Sequence, residues 1–131
     1  MRSRILFLSG RAEDALRLSL MLQPTLLLLE HAASLQQARV KLRQQDYDVL
    51  LTESILPDGS WLDALEIARE NPGRMSLVVT DALADAGFWT DVLNQGGYDV
   101  LPQPFYGPEV RRILYNACWQ PARPIHQTAA V

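Results

Sequence analysis

The sequence predicts an α/β domain built on a parallel sheet of five strands with helices on both faces. Five short apolar runs alternate along the chain with longer segments in which apolar residues recur at helical spacing. The runs are continuous and lack the polar alternation of a half-exposed strand, which indicates strands buried on both faces. In chain order, the predicted strands are residues 5–8, 25–29, 49–52, 77–80 and 98–101.

The helices between these strands are marked by their ends and by apolar stripes. Ser34 precedes Gln37, and Ser60 precedes Asp63, at the spacing of a capping box. A proline after Gly107 fits the first turn of the last helix, and residues 71–73 and 96–97 carry helix-stop signals. The stripes are Leu35, Ala38 and Leu42; Trp61, Ala64, Leu65 and Ala68; Trp89, Val92, Leu93 and Gly96; and Val110, Ile113, Leu114 and Ala117.

This order of elements fits a single doubly wound, flavodoxin-like (βα)5 domain with a parallel sheet in the order 2-1-3-4-5. Ligands of such sheets bind at the carboxyl ends of the strands. We assign residues 1–119 to this domain. Residues 120–131 combine prolines with small residues and show no period, which predicts a flexible tail or a truncated linker.

Bulk composition excludes several classes of function. With 131 residues, 48% hydrophobic and 21% charged, the chain has the composition of one globular domain. Its net charge of -3 gives no general attraction to nucleic acid, so we expect no DNA binding by this chain alone. No apolar run approaches the roughly 20 residues that span a bilayer. The single cysteine, Cys118, cannot form an intrachain disulfide, and we predict a cytoplasmic protein.

One segment points to a family. Residues 47–59 join a buried apolar strand to a Pro-Asp-Gly turn, and the strand ends at Glu53. This segment resembles the third strand and following loop of bacterial response-regulator receiver domains, where the strand ends in a phosphoacceptor aspartate. Thr80, after the fourth strand, matches the family's phosphoryl-contacting Thr or Ser. The resemblance extends over roughly residues 4 to 119 by element order and motif placement.

The other functional positions of the family are altered. Ser9 and Gly10 stand where the resemblance implies two acidic residues that hold magnesium, and Gln103 stands where it implies a lysine. The resemblance also implies a cis bond between Gln103 and Pro104. Magnesium prefers carboxylate ligands, and a neutral amide supplies no charge to a phosphoryl group. We therefore expect no enzymatic activity, no cofactor, and weak or absent magnesium binding.

Other residues near these positions suggest a replacement for the missing charges. Arg11 could reach Glu53 and occupy the space of the ion, or it could point to solvent. Asp81 could pair with Arg11 or Gln103, although a role as N-cap of the fourth helix is favoured. Glu53 has two interpretations: a permanent mimic of phosphorylated aspartate, or a solvated strand-end residue in a scaffold without a switch. We expect Asp58 to serve turn chemistry and His31 to lie away from the site.

These features support a non-phosphorylatable receiver domain that acts as a protein-interaction module in two-component signalling. Its partner would be a histidine kinase or another regulator. Two alternatives stay open. One is a receiver that accepts phosphate weakly at Ser54 or Thr52, for which no base is evident in the sequence. The other is a small ligand-binding domain or enzyme, such as a flavin-binding domain, on the same fold.

The resemblance also indicates a working surface for self-association, formed by the fourth helix, the fifth strand and the fifth helix. If Trp89 and its stripe face the sheet, Phe88 is rotated by about 100° and is at least partly exposed. Val100 stands where the family has a switching aromatic residue. The predicted surface comprises Phe88 and Val100, with Tyr106 and Arg111 or Arg112 at its polar rim; the alternative is that Phe88 is a lone exposed aromatic residue without a partner.

Overall fold

A computed structural model describes residues 3–71 and 75–119 of the chain. The five predicted strands form one parallel sheet, whose chain-order numbering gives the sequence β2-β1-β3-β6-β7. The predicted order 2-1-3-4-5 is therefore confirmed. The elements are β1 (Ser3–Leu8), α1 (Ala12–Leu22), β2 (Leu27–Ala32), α2 (Leu35–Gln44), β3 (Val49–Glu53), β4 (Ile55–Leu56), β5 (Gly59–Ser60), α3 (Trp61–Glu70), β6 (Ser76–Asp81), α4 (Ala86–Gln95), β7 (Asp99–Pro102) and α5 (Gly107–Trp119).

Helices cover both faces of the sheet, as the continuous apolar runs predict. One hydrophobic cluster joins alternate strand residues to α2, α3 and Val92 of α4. A second cluster joins the intervening strand residues to α1 and α5. No helix in the two described ranges is long and apolar enough to cross a bilayer. The predicted tail, residues 120–131, lies outside the described residues, so the domain boundary at residue 119 stays a prediction.

The second strand differs from its prediction. It begins at Leu27 rather than at Thr25 and continues to Ala32. Thr25 closes the preceding turn, because its hydroxyl donates to the Leu22 carbonyl at 2.6 Å and accepts from the Leu27 N–H at 3.0 Å. The strand lies at the edge of the sheet and tolerates polar residues, so its apolar run marks only its first half. His31 therefore lies within β2, paired with Phe7.

The helix starts agree with the predicted caps, with one exception. The Ser34 side chain accepts from the Gln37 N–H, and Ser60 forms a capping box with Asp63. Asp81 is not the N-cap of α4, because it is the last residue of β6. Asp85 takes that role, and its carboxylate accepts the Phe88 N–H at 2.8 Å.

A short antiparallel hairpin, β4 and β5, follows β3 and was not predicted. Its turn carries Asp58, whose carboxylate accepts the N–H groups of Leu35 and Gln36 at 2.9 and 3.1 Å. Asp58 thus does more than shape the turn, since it also satisfies donors in the first turn of α2. These two hydrogen bonds lower the pKa of Asp58.

The predicted orientation of α4 is wrong. Trp89 and Leu93 are 42% and 44% exposed, whereas Val92 is fully buried. Phe88 is partly exposed, as predicted, but it packs edge to face against Trp61 of α3, with ring centroids 6.1 Å apart. Apolar residues occupy more of this helix than one stripe, and Trp61 provides the partner that selects the Phe88 side. Val100 is fully buried, because the sheet face on which it lies is covered by helices, and so it forms no part of the surface.

Candidate functional site

The candidate site lies at the carboxyl ends of β1, β3, β6 and β7, where sheets of this type bind ligands. Glu53 is the last residue of β3 and pairs with Thr80 in β6. Ser9 follows β1 directly, and Gln103 follows β7 directly. The structure thus brings together these four predicted positions, because parallel strands in register end at the same edge.

Glu53 carries a half-buried carboxylate at this edge. Among the described residues, it is the only such carboxylate that hydrogen-bonds Ser9. It accepts from the Ser9 hydroxyl at 3.2 Å, and the Ser9 oxygen accepts from the Arg11 N–H at 3.0 Å. Burial raises the pKa of Glu53, and the negative charge of Asp14 raises it further. Hydrogen bonds from Ser9 and Gln103, and the charge of Arg11, act in the opposite direction on this pKa.

Thr80 and Gln103 form a chain of hydrogen bonds beside Glu53. The Gln103 amide donates to the Thr80 hydroxyl oxygen at 3.1 Å, and that hydroxyl donates to the Leu101 carbonyl at 2.7 Å. Thr80 is fully buried. The expected cis peptide bond between Gln103 and Pro104 is present. The Thr80 hydrogen is therefore directed to a backbone carbonyl within the sheet and away from the site.

Arg11 does not form an ion pair with Glu53. Its Nε lies 3.5 Å from the Asp14 carboxylate, and its side chain is mainly exposed and also approaches Glu13 at 3.9 Å. Of the two interpretations of Arg11, exposure to solvent is the closer one, although its charge is still felt at Glu53.

Asp14 is a site residue that the sequence did not reveal. It is buried on the inner face of α1, in line with Ala15, Leu18 and Leu22. Its carboxylate has Arg11 at 3.5 Å and Arg17 at 4.0 Å. The sequence does carry a sign of this residue: Asp14 lies within an apolar helical stripe, with Arg11 three residues before it and Arg17 three residues after it.

His31 also lies closer to the site than predicted. Its Nε2 is 2.7 Å from the Ser9 carbonyl oxygen, and its ring packs against Phe7. A carbonyl oxygen can only accept, so this nitrogen carries the hydrogen. The error follows from the strand boundary, since a histidine placed after β2 would not lie beside β1.

Asp81 pairs with neither Arg11 nor Gln103. Its carboxylate accepts from the Ser54 hydroxyl and from the Leu83 N–H, the latter at 2.6 Å. Ser54 therefore has a carboxylate neighbour, which the sequence did not indicate. Thr52 is fully buried and donates to the Glu53 carbonyl at 2.8 Å, so its hydroxyl is not accessible.

The donor set does not fit a magnesium ion. Gly10 has no side chain, Ser9 offers a hydroxyl that already bonds Glu53, and the Asp14 carboxylate faces two guanidinium groups. In the described ranges, no group of three or more His, Cys, Asp or Glu side chains is placed to hold a metal. Magnesium requires several hard oxygen ligands in octahedral geometry, and Glu53 alone supplies one side chain.

The predicted surface residues are placed on different sides. Tyr106 is exposed between β7 and α5. Arg112 is exposed and lies 4.0 Å from Glu109. Arg111 points the other way, because its guanidinium donates to the Met21 carbonyl at the end of α1 at 3.0 Å. Arg111 is thus a packing residue between α5 and α1.

Cys118 is a packing residue near the end of α5. It lies partly buried against the core cluster of α1 and α5. Burial raises the pKa of its thiol to about 12, so the thiol is protonated at neutral pH and is a poor nucleophile.

Comparisons with known proteins agree with this architecture. No family model matches the chain. A DNA-binding transcriptional regulator, NtrC of Proteus hauseri, is 32% identical over 88 residues, which is 67% of this chain and 18% of that protein. This chain therefore spans less than a fifth of the relative it matches.

Solved structures are similar over most of the fold. A signal receiver domain from Vibrio parahaemolyticus superposes with a TM-score of 0.83 at 15% identity, covering 99% of this chain and 97% of that one. The chemotaxis response regulator CheY4 of Vibrio cholerae gives 0.79 at 15% identity, covering 89% and 99%. A beryllofluoride-activated NtrC4 receiver domain, described as a dimer, gives 0.73 at 21% identity, covering 87% and 92%. The resemblance that the sequence predicted is confirmed, and the chain has the fold of the response-regulator receiver domains.

Proposed function

We propose that this chain is a receiver-type domain that forms no acyl phosphate and acts as a protein-interaction module in bacterial two-component signalling, in the cytoplasm. The observation that carries this proposal is the state of the site: its polar side chains hydrogen-bond one another. Ser9 donates to Glu53, and Gln103 donates to Thr80. Side chains that already hydrogen-bond one another are poorly placed to bind either a metal ion or an incoming phosphoryl group.

Phosphoryl transfer depends on positioning and charge more than on covalent chemistry. Glu53 extends one methylene further than aspartate, and a displacement of about 1 Å can cost on the order of a hundredfold in rate. Ser9 and Gln103 supply no charge for the transition state, and Asp14 faces arginines. Weak or absent magnesium binding, no cofactor and no enzymatic activity are therefore part of the proposal.

Between the two interpretations of Glu53, the scaffold without a switch is better supported. A mimic of phosphoaspartate needs elements that respond to it. The Thr80 hydroxyl donates to the Leu101 carbonyl rather than towards Glu53, and Val100 is buried with no ring to rotate. Both positions that could transmit a signal are thus fixed in the core.

The partner is proposed to be a second copy of the chain, another regulator or a histidine kinase, contacting α4, β7 and α5. Phe88 packs on Trp61, so Trp89 and Leu93 take its place as the central residues of the proposed contact surface. Trp89 and Leu93 lie one residue beyond Phe88 and Val92 on α4, away from the side that packs on α3, and are partly exposed. Tyr106 and Arg112 are also exposed and are included in the proposed surface. A dimer is the state described for the similar NtrC4 receiver domain.

The proposal is tested by incubating the protein with acetyl phosphate and magnesium and recording the intact mass. We expect no added phosphoryl group. One adduct per chain that hydroxylamine removes would be an acyl phosphate and would contradict the proposal. A receiver with an intact aspartate serves as the positive control.

One observation favours a second candidate, weak phosphorylation at Ser54. The Ser54 hydroxyl contacts the Asp81 carboxylate, which could accept its proton. The same mass measurement distinguishes it, since a serine phosphate resists hydroxylamine and would be lost in Ser54→Ala. The ligand-binding alternative has less support. An open cavity of about 280 Å³ lined by Ser19, Thr25 and Leu29 lies at the amino end of β2, away from the carboxyl edge.

A further inference from the structure

Three exposed apolar side chains lie in the segments beside the candidate site, where α3 and α4 begin. Ile55 in the hairpin is 76% exposed, Leu83 after β6 is 86% exposed, and Leu62 in the first turn of α3 is 46% exposed. We call these three residues the loop patch. Large apolar side chains exposed together, rather than singly, are typical of interaction sites.

The two loops that carry Ile55 and Leu83 are joined by hydrogen bonds. The Asp81 carboxylate accepts from the Ser54 hydroxyl, next to Ile55, and from the backbone N–H of Leu83. One side chain thus ties together the two loops that carry Ile55 and Leu83. A surface ordered before binding loses less conformational entropy when a partner docks.

Leu62 is directed to the same region by the packing of α3 against α4. Arg69 lies two turns after Leu62 on the same face of α3, and its guanidinium donates to the Gln95 carbonyl at the end of α4. Because both helices run in the same direction across the sheet, the face of α3 that carries Leu62 and Arg69 is turned towards α4.

The surroundings of the loop patch are acidic. Residues 44–68 and 75–110 contain no lysine or arginine. The carboxylates around the patch bond backbone N–H groups, and none forms an ion pair with a lysine or arginine within the described residues. Their negative charge is therefore not neutralised by side chains. These carboxylates belong to Asp58, Asp63, Asp81 and Asp85.

We propose that the loop patch docks a basic amphipathic helix of another protein. Apolar side chains of that helix cover Ile55, Leu62 and Leu83, and its lysines or arginines face the acidic rim. A second copy of this chain is the weaker candidate, because a two-fold contact through the loop patch would place two acidic rims together. The inference rests on the proposed interaction role and adds a second surface, separate from Trp89 and Leu93.

The test uses a synthetic helical peptide of about 15 residues with leucines along one face and lysines on the other. Its affinity for the protein is measured by fluorescence anisotropy. We expect binding that weakens with added salt, and a dissociation constant at least about tenfold higher for Ile55→Ser/Leu83→Ser. Leu26→Ser, an exposed apolar position near the amino end of β2, is the matched control and should bind as the wild type does. Thermal unfolding of each variant checks that the fold is retained.

The inference is overturned if the lysine peptide does not bind, if a peptide with glutamates in place of the lysines binds equally well, or if the double variant binds within about twofold of wild type. It is also overturned if the wild type self-associates and the double variant does not, since the occupant is then a second copy. If only the loop-patch inference fails, self-association that depends on Trp89 should still be observed. If the proposed interaction role fails as well, that self-association should also be absent, so the two failures can be distinguished.

Discussion

At the scale of single residues, the site is defined by what each side chain already contacts. Glu53 keeps a carboxylate where a nucleophile is expected, but the Ser9 hydroxyl donates to it, and burial, together with the charge of Asp14, raises its pKa. Sequence alone identified Glu53, Ser9, Thr80 and Gln103 as neighbours. It could not show the hydrogen bond between Ser54 and Asp81, because that contact depends on the path of two loops.

Ionised Glu53 should destabilise the folded chain. Folding raises its pKa above the usual 4.5, so the folded state binds more protons in that window and stability falls as pH rises through it. Glu53→Gln should therefore raise the free energy of unfolding near pH 7 by less than about 1 kcal/mol, because the group is only half-buried. Below pH 4.5 the gain should disappear. Denaturant titrations of both proteins at several pH values measure this difference in the free energy of unfolding. A gain that is larger at low pH would show that the pKa of Glu53 is lowered, not raised, by folding.

At the scale of elements, strand positions and helix caps were readable because burial and capping follow local patterns. Ser34 and Ser60 are examples. The end of β2 could not be predicted from the sequence, because Glu30 and His31 lie on an edge strand that accepts polar residues. The rotation of α4 was misjudged because Phe88, Trp89, Val92 and Leu93 offer more than one apolar face, and only the tertiary contact with Trp61 chooses between them.

The orientation of α4 can be tested by paired substitutions. Phe88→Ala removes a ring that packs on Trp61 and should lower the free energy of unfolding by about 2 kcal/mol. Trp89→Ala should lower it by less than about 1 kcal/mol, because that side chain is partly exposed. Chemical denaturation gives both values. A larger loss for Trp89→Ala would restore the orientation predicted from the stripe.

The link between the hairpin and α2 depends on Asp58. Its carboxylate accepts two N–H groups of α2, and its pKa is lowered as a result. Its stabilising contribution is present above the ordinary pKa of 3.8 and is lost as pH falls through the folded value. Asp58→Ala should therefore lower the melting temperature at neutral pH, and the difference from wild type should shrink on acidification below pH 3.8. A deficit that does not change with pH would mean that the charge is irrelevant.

At the scale of the whole molecule, the chain keeps the receiver-domain fold while its catalytic edge is closed by internal hydrogen bonds. Under the proposed function, the chain acts through its surfaces. Trp89, Leu93 and Tyr106, together with the loop patch beside the site, are among the exposed apolar groups that the core does not require. The sequence predicts such a surface, but packing sets the exposure of individual residues: Val100 is buried and Arg111 bonds α1, whereas Phe88 is partly exposed as predicted but packs on Trp61.

Self-association through α4, β7 and α5 predicts a simple result in analytical sedimentation. The wild type should show a concentration-dependent dimer in the micromolar range, and Trp89→Glu should shift it to monomer, because the new charge would be buried in the contact. Leu26→Glu, at a distant exposed position, should leave the dimer unchanged. Equal behaviour of wild type and Trp89→Glu would place the contact elsewhere.

The central claim is that several departures together, not Glu53 alone, prevent phosphorylation. The most direct measurement is the intact mass of two variants after incubation with acetyl phosphate and magnesium. Glu53→Asp should stay unmodified, because Ser9, Gly10 and Gln103 still provide neither a metal site nor a cation. Ser9→Asp/Gly10→Asp/Glu53→Asp/Gln103→Lys should gain one hydroxylamine-sensitive phosphoryl group, since the parallel strands that position these residues are retained. A phosphoryl adduct on Glu53→Asp alone would contradict the claim.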